Sequence, residues 1–311
     1  MSTRHFLRDD DLSPAELLEV LDLADRMKAE PFDHKPLAGP RTVALVFDRP
    51  TLRTQVSFAA GIAELGGNPM TVDGGLAAMG SREGVEDVAR ILGRQAAAVV
   101  WRTAHQGDVV TMAAYAGVPV LNALTDEFHP CQILADLQTV REHQGRLAGA
   151  TLAYLGDGAN NMAHSYLLGG ATAGLHVRIG TPGTHLPDAA VVDRARQIAA
   201  GTGGSVLVTD DPRAAADGAD VLATDTWVSM GDELEKGARV GAGSPFAPYA
   251  LDDAALALAA PGAIVLHCLP AYRGLEISAS VIDGPQSVVF DEAENRLHAQ
   301  KGVLLWAMGA G

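Results

Sequence analysis

The amino-acid sequence predicts an α/β protein with two doubly wound parallel-sheet domains, joined by interdomain helices and with the active site in the cleft. Three observations lead there. Short apolar runs alternate with helix-length amphipathic segments, the pattern of parallel strands covered on both faces by helices. The alternation pauses around Gly145 and begins again at Thr151. A chain of 311 residues, 48% of them hydrophobic, is long enough for two cores rather than one.

The elements follow in order. Ser13-Pro14-Ala15-Glu16 reads as a capping box with proline at the first helical position, and Leu17, Leu21, Ala24 and Met27 follow at helical spacing. An apolar run at 43–47 breaks at Asp48-Arg49-Pro50 and reopens as Thr51-Leu52-Arg53-Thr54 at the head of an amphipathic segment: a strand, a tight turn and a helix start. Gly66-Gly67 stops that helix. A helix at 86–93 runs into a strand at 96–101, and a helix at 109–116 into a strand at 118–122. The helix at 130–143 carries Gln132 and Asp136 on one face and marks the boundary between domains 1–129 and 130–292. Further strands are expected at 151–155, 175–180, 205–209, 221–224, 263–267 and 287–290, with helices between them. The segment 231–249 is rich in Gly, Pro and charge without a period; it reads as a lid over the cleft or as a disordered insertion.

The bulk numbers exclude several classes. A formal net charge of -15 with no basic stripe argues against a nucleic-acid partner, so a small anionic substrate must be captured by a local pocket. Cys131 and Cys268 are far apart and lack CxxC spacing, which fits a reducing cytoplasm and implies no disulfide and no metal site. No apolar run suits a signal peptide or a membrane span.

Polar residues accumulate where ligands bind open α/β sheets, beyond the carboxyl ends of the strands. Arg53, Arg102, His129, Asp225 and His267-Cys268 each stand at or just after an expected strand end. A helix N-terminus carries unpaired N–H groups, so Thr51, Arg53 and Thr54 form an anion cradle, unless Thr51 only caps the helix and Arg53 is solvated. Arg102 reads as a functional cation or as a side chain snorkelling past Trp101. The turn Gly156-Asp157-Gly158-Ala159-Asn160-Asn161 lacks the third glycine of a dinucleotide fingerprint; it is a plain strand-to-helix turn or one whose Asn amide grips a small polar substrate.

Five ordered motifs make a family resemblance specific. Phe128-His129-Pro130-Cys131-Gln132-Ile133-Leu134-Ala135-Asp136, Gly156 to Ser165, Asp225-Thr226-Trp227-Val228-Ser229-Met230-Gly231, His267-Cys268-Leu269-Pro270 and Glu294-Asn295-Arg296-Leu297-His298 together resemble the ornithine carbamoyltransferases of the aspartate/ornithine carbamoyltransferase superfamily, over essentially the whole chain. The resemblance implies transfer of a carbamoyl group from carbamoyl phosphate to L-ornithine, giving L-citrulline and phosphate in arginine metabolism, without cofactor or metal. It also implies a homotrimer or a multiple of trimers, a carbamoyl-phosphate domain at 1–129 with the C-terminal helix 293–311 packed back on it, and an ornithine domain at 130–292. By motif, Thr51, Leu52, Arg53, Thr54, Arg102, His129, Gln132, Cys268, Leu269 and Arg296 are implied for the donor; Asn161, Asp225, Ser229 and Met230 for ornithine; and Arg102, His129, Cys268 and Asp225 for catalysis.

The chain departs from the family pattern at three places. The usual Ser-Thr-Arg-Thr-Arg is here Thr51-Leu52-Arg53-Thr54-Gln55, the usual Gln-Leu-Gly-Arg is Ala78-Met79-Gly80-Ser81, and Tyr272 replaces a common histidine. Losing a hydrogen bond to a charged group costs about 1.5–3 kcal/mol, so two losses weaken donor use by roughly 100-fold or more. These changes also admit a related transcarbamylase with another amine or carbamoyl donor, or a weakly active ornithine-binding homologue.

Overall fold

The computed structural model describes residues 3–77, 79, 82–229, 233–241 and 243–310. The chain divides into two compact units, one of residues 1–138 with 294–311 and the other of 139–293. The chain leaves the first unit within the helix Pro130–Gln144 and returns to it within the helix Val289–Met308.

The first unit holds β1 (Thr42–Phe47), β2 (Asn68–Asp73), β3 (Ala98–Arg102) and β4 (Val120–Leu124), all parallel in the order β2-β1-β3-β4. Parallel pairing demands crossovers, and helices Arg53–Glu64, Val85–Gln95 and Gln106–Ala116 supply them. Ala44, Val46, Val99, Trp101, Met112 and Val120 fill one core between sheet and helices. The Ser13 capping box forms as expected: the Glu16 carboxylate accepts the Ser13 N–H at 3.0 Å and the Ser13 hydroxyl accepts the Glu16 N–H at 3.3 Å. On the C-terminal helix, buried Lys301 donates to Glu64 at 2.5 Å and to the Met27 carbonyl at 3.0 Å, while Lys28 donates to Asn295 at 2.8 Å. Gly302 permits this approach, since a Cβ there would lie 2.6 Å from the Val20 carbonyl oxygen.

The second unit holds β5 (Thr151–Leu155), β6 (His176–Gly180), β7 (Ser205–Thr209), β8 (Val221–Thr224) and β9 (Ile264–His267), parallel in the order β7-β6-β5-β8-β9. Leu155, Leu222, Val265 and Ile277 belong to its core. Both orders reverse direction beside the first strand of the sheet, between β1 and β3 and between β5 and β8, and such switch points are where ligands settle.

Two sequence expectations are corrected. Residues 287–290 form no strand: Ser287 makes an isolated bridge to Val265, and Val289 begins the long C-terminal helix, whose first turn carries Asp291 and Glu292 as the helix dipole favours. Conversely, β2 was not read from sequence. The segment 231–249 contains the short helices Glu233–Glu235, Lys236–Val240 and Ala247–Tyr249, with residues 231, 232 and 242 outside the described residues.

Candidate active site

In the first unit the helix Arg53–Glu64 starts directly after the β1 turn, with Leu52 at its N-cap making no side-chain capping bond. Leu52 is 72% exposed, whereas Thr54 is buried and Thr51, Arg53 and Gln55 are half-buried. Arg296 ties this helix start to the helix Pro130–Gln144: its Nη2 donates to Thr54 Oγ1 at 3.1 Å and its Nη1 to Gln132 Oε1 at 2.5 Å. Gln132 Nε2 then donates to Asp136 Oδ1 at 2.8 Å, so the shared helix face read from sequence carries one continuous network.

Arg102, the last residue of β3, is only 7% exposed, which settles the snorkelling alternative against it. His129 is buried at the head of the helix Pro130–Gln144. Burial pushes its pKa well down, and the Arg296, Arg102 and Arg53 guanidiniums push in the same direction, so the imidazole is neutral at physiological pH. A neutral ring among three fixed cations can donate one N–H and cannot hold a second proton. Such a cluster suits a phosphate and a carbonyl oxygen gaining negative charge. Ala78 lies outside the described residues, and Arg82 is exposed. Beside the cluster's strands a cavity of about 370 Å³ is lined by Asp48, Arg49, Gly74, Trp101, Thr103 and His105; Trp101 Nε1 donates to Asp48 Oδ2 there at 3.0 Å.

In the second unit Asp225 follows β8 and Cys268 follows the adjacent β9, and the Cys268 thiol donates to Asp225 Oδ1 at 3.2 Å. The Thr226 N–H donates to the same oxygen at 2.7 Å. Burial raises the Asp225 pKa above the ordinary carboxylate range, opposed by His267 and by these two donors. Ligand-type atoms of Asp225, His267 and Cys268 lie within 4.8 Å of one another, yet each already has a protein partner. His267 Nδ1 accepts the Leu269 N–H at 2.9 Å, and its Nε2 faces Glu276 Oε1 at 3.3 Å. That network assigns the Nε2–H tautomer. Leu269 has φ 56°, a left-handed conformation unusual for a branched side chain, and its N–H bond to His267 holds it there.

Asn160 is the N-cap of the helix Asn161–Thr172, accepting the Ala163 N–H at 2.9 Å and donating to the Tyr154 hydroxyl at 2.9 Å. The plain-turn reading therefore holds for Asn160, and the half-buried Asn161 is the amide left at the helix start as a candidate. Ser229 is half-buried after β8, and Met230 lies outside the described residues. Sequence reasoning gave no role to Arg239, Glu276 or the Asp48–Trp101 pair. Arg239 carries no periodic signal, while Glu276 stands nine residues beyond His267 with nothing in the spacing to link them.

Residues 4–142 match the family model described as aspartate/ornithine carbamoyltransferase, carbamoyl-P binding domain, and residues 148–307 match its Asp/Orn binding domain. The chain belongs to the aspartate/ornithine carbamoyltransferase family. Within it the similarity runs to ornithine enzymes: the ornithine carbamoyltransferase of Renibacterium salmoninarum is 60% identical over 308 residues, covering 98% of each chain. Solved ornithine carbamoyltransferases from Gloeobacter violaceus (44% identity, TM-score 0.87, 99% of each chain) and Pyrococcus furiosus (39%, TM-score 0.94, 100% of this chain and 98% of the other) share the fold.

Proposed function

We propose that the chain is an ornithine carbamoyltransferase, joining carbamoyl phosphate to the side-chain amine of L-ornithine to give L-citrulline and phosphate. The observation that carries the reading is the cluster in the first unit: a neutral His129 in the field of Arg53, Arg102 and Arg296, with His129, Arg53 and Arg102 inside the stretch that matches the carbamoyl-P binding model and Arg296 supplied by the C-terminal helix. Thr51, Arg53, Thr54 and the N–H groups at the start of the helix Arg53–Glu64 take the phosphate, and the residue at position 52 contributes its backbone alone. Arg102, His129 and Gln132 donate toward the carbamoyl oxygen, and Arg296 fixes Gln132 and Thr54 for that purpose. In the second unit Cys268 and Leu269 contact the carbamoyl nitrogen and the incoming amine, while Asn161, Asp225, Ser229 and Met230 receive the amino-acid portion of ornithine.

The chemistry balances without a further reagent. The neutral amine attacks the carbamoyl carbon, the carbon–oxygen bond to phosphate breaks, and the departing phosphate takes the amine proton. A side-chain amine is mostly protonated at neutral pH, so ordering and partial desolvation of the acceptor supply much of the rate. A related transcarbamylase with another amine is the less supported reading, because the residues implied for the acceptor stand intact while the departures fall on the donor side.

Purified protein given both substrates is expected to form citrulline, and no product at saturating donor overturns the reading. A panel of other amines and donors tests the alternative. We also propose the homotrimer that the resemblance implies, which light scattering checks. Among the described residues, no helix is long and apolar enough to cross a membrane.

A further inference from the structure

Arg239 sits in the aperiodic segment and is only 8% exposed. Its Nη1 donates to Asp157 Oδ2 at 2.6 Å and to the Trp227 carbonyl at 3.1 Å, and its Nε donates to Glu235 at 2.9 Å. The guanidinium lies 5.5 Å above the Phe246 ring, which stacks on Trp227 with 6.1 Å between centroids. The Arg239 carbonyl accepts the Ser244 hydroxyl. One buried cation thus joins the turn after β5, the loop after β8 and the segment 235–246. Asp157 lies four residues before Asn161, and Trp227 lies midway between Asp225 and Ser229.

We propose that Arg239 is a positioning residue for the amino-acid substrate: by holding Asp157 and the Trp227 carbonyl with one nitrogen, it sets Asn161, Asp225 and Ser229 in a common register. This rests on the ornithine reading above. Asp157 is a buried carboxylate that needs a cation, so removing Arg239 leaves a charge the turn must move to solvate. Lysine restores the charge but not the planar fork that also reaches the carbonyl and Glu235. The two strand ends joined this way form the switch point of the sheet, where a shift of a fraction of an ångström changes every substrate contact.

The test compares Arg239→Gln, Arg239→Lys and Asp157→Asn by steady-state kinetics and by hydrogen exchange of peptides covering 156–161 and 225–229. Arg239→Gln is expected to raise the ornithine KM roughly tenfold or more with the carbamoyl phosphate KM nearly unchanged, Arg239→Lys to recover part of it, and Asp157→Asn to reproduce the glutamine variant. Exchange should quicken in those two peptides and not across the unit. Equal changes in both KM values, unchanged ornithine KM, or uniformly faster exchange overturns the proposal. If the unaltered chain forms no citrulline, the function reading fails, and the exchange pattern alone then decides the role of Arg239: local quickening supports it and no local change refutes it. Should Arg239→Gln not fold, the other two variants carry the same comparison.

Discussion

Replacing Glu276 tests whether a histidine tautomer holds the Leu269 turn. Glu276 Oε1 faces His267 Nε2 at 3.3 Å and accepts the Tyr272 N–H at 2.5 Å, and the His267 and Glu276 side chains are fully buried. With Glu276→Ala both donors lose their acceptor: the buried His267 Nε2–H costs about 1–3 kcal/mol, and the Tyr272 N–H, on an exposed residue, about 0.5–1.5 kcal/mol, so a loss of roughly 1.5–4.5 kcal/mol follows. Stability of about 5–15 kcal/mol in a typical domain leaves such a variant folded but weakened. The functional effect is separate. Without an acceptor at Nε2 the imidazole can move its proton to Nδ1, which then opposes the Leu269 N–H instead of accepting it. The left-handed strain at Leu269 is present before and after the change, so the shift is the lost bond with its N–H left unpaired, about 1–3 kcal/mol, and the competent fraction falls by roughly 5- to 150-fold. Glu276→Gln keeps a neutral acceptor at Oε1 and therefore the tautomer. Citrulline formation is the assay, with thermal unfolding as the control for folding. The expected order is wild type close to Glu276→Gln, with Glu276→Ala far below. A folded Glu276→Gln as inactive as Glu276→Ala shows that charge, not tautomer, does the work, and a fully active Glu276→Ala refutes the reasoning outright.

Asp225→Asn should be at least as stable as wild type at pH 8 while citrulline formation drops by roughly 100-fold, the cost of a misplaced amine. Burial raises the Asp225 pKa, so the folded state keeps a proton that the unfolded state has lost, and stability falls as pH rises from the ordinary carboxylate range through the folded pKa. Asparagine removes that slope, and a variant less stable than wild type at pH 8 contradicts it. His129→Gln should flatten acid sensitivity: with its folded pKa depressed, His129 makes the native state lose stability as pH falls below 6.5, where the unfolded chain binds a proton first. Urea midpoints between pH 5 and 7 measure this, and equal slopes in both proteins count against it. Leu52→Thr places a hydroxyl at the exposed head of the helix Arg53–Glu64, where the helical backbone of position 52 does not favour a capping bond, so stability should change little. The substitution should lower the carbamoyl phosphate KM by roughly tenfold, and an unchanged KM shows that position 52 does not reach the phosphate.

Most of the buried parallel strands were legible because they are short apolar runs closed by turn residues, although Asn122 interrupts β4. β2 was missed for the opposite reason: Asn68-Pro69-Met70-Thr71-Val72-Asp73 is an edge strand with three exposed residues, so no run marks it. The misreading at 287–290 has a matching cause. Val288, Val289 and Phe290 look like a strand, but three apolar residues cannot be told from a helix start by period, and Glu292 decides the matter by accepting the His267 N–H at 2.8 Å from the helix's first turn. Among the candidate site residues, Arg102, Asp225 and Cys268 stand at strand ends where the sequence placed them, because apolar strands and their closing polar residues are visible in sequence. Arg239 and Glu276 were not found, because their roles arise from pairings across 82 and 9 residues with Asp157 and His267, which no local pattern encodes.

The electrostatics of the two units differ in a way that assigns the proton. In the first unit burial and then the Arg296, Arg102 and Arg53 guanidiniums all push the His129 pKa down, so its imidazole is a poor base. In the second unit Asp225 has its Oδ1 engaged by the Cys268 thiol and the Thr226 N–H, and that oxygen is better placed to orient an amine than to withdraw its proton. Buried Cys131, pushed up to about 12, stays a thiol and offers no base either. In the proposed reaction the phosphate oxygen released as the carbon–oxygen bond breaks is a far stronger base than these side chains, and it leaves with the amine proton as hydrogen phosphate. Under the proposed function the substrate brings its own base, and the cationic cluster serves two ends at once: it stabilises charge on the carbamoyl oxygen, and it holds the phosphate that receives the amine proton.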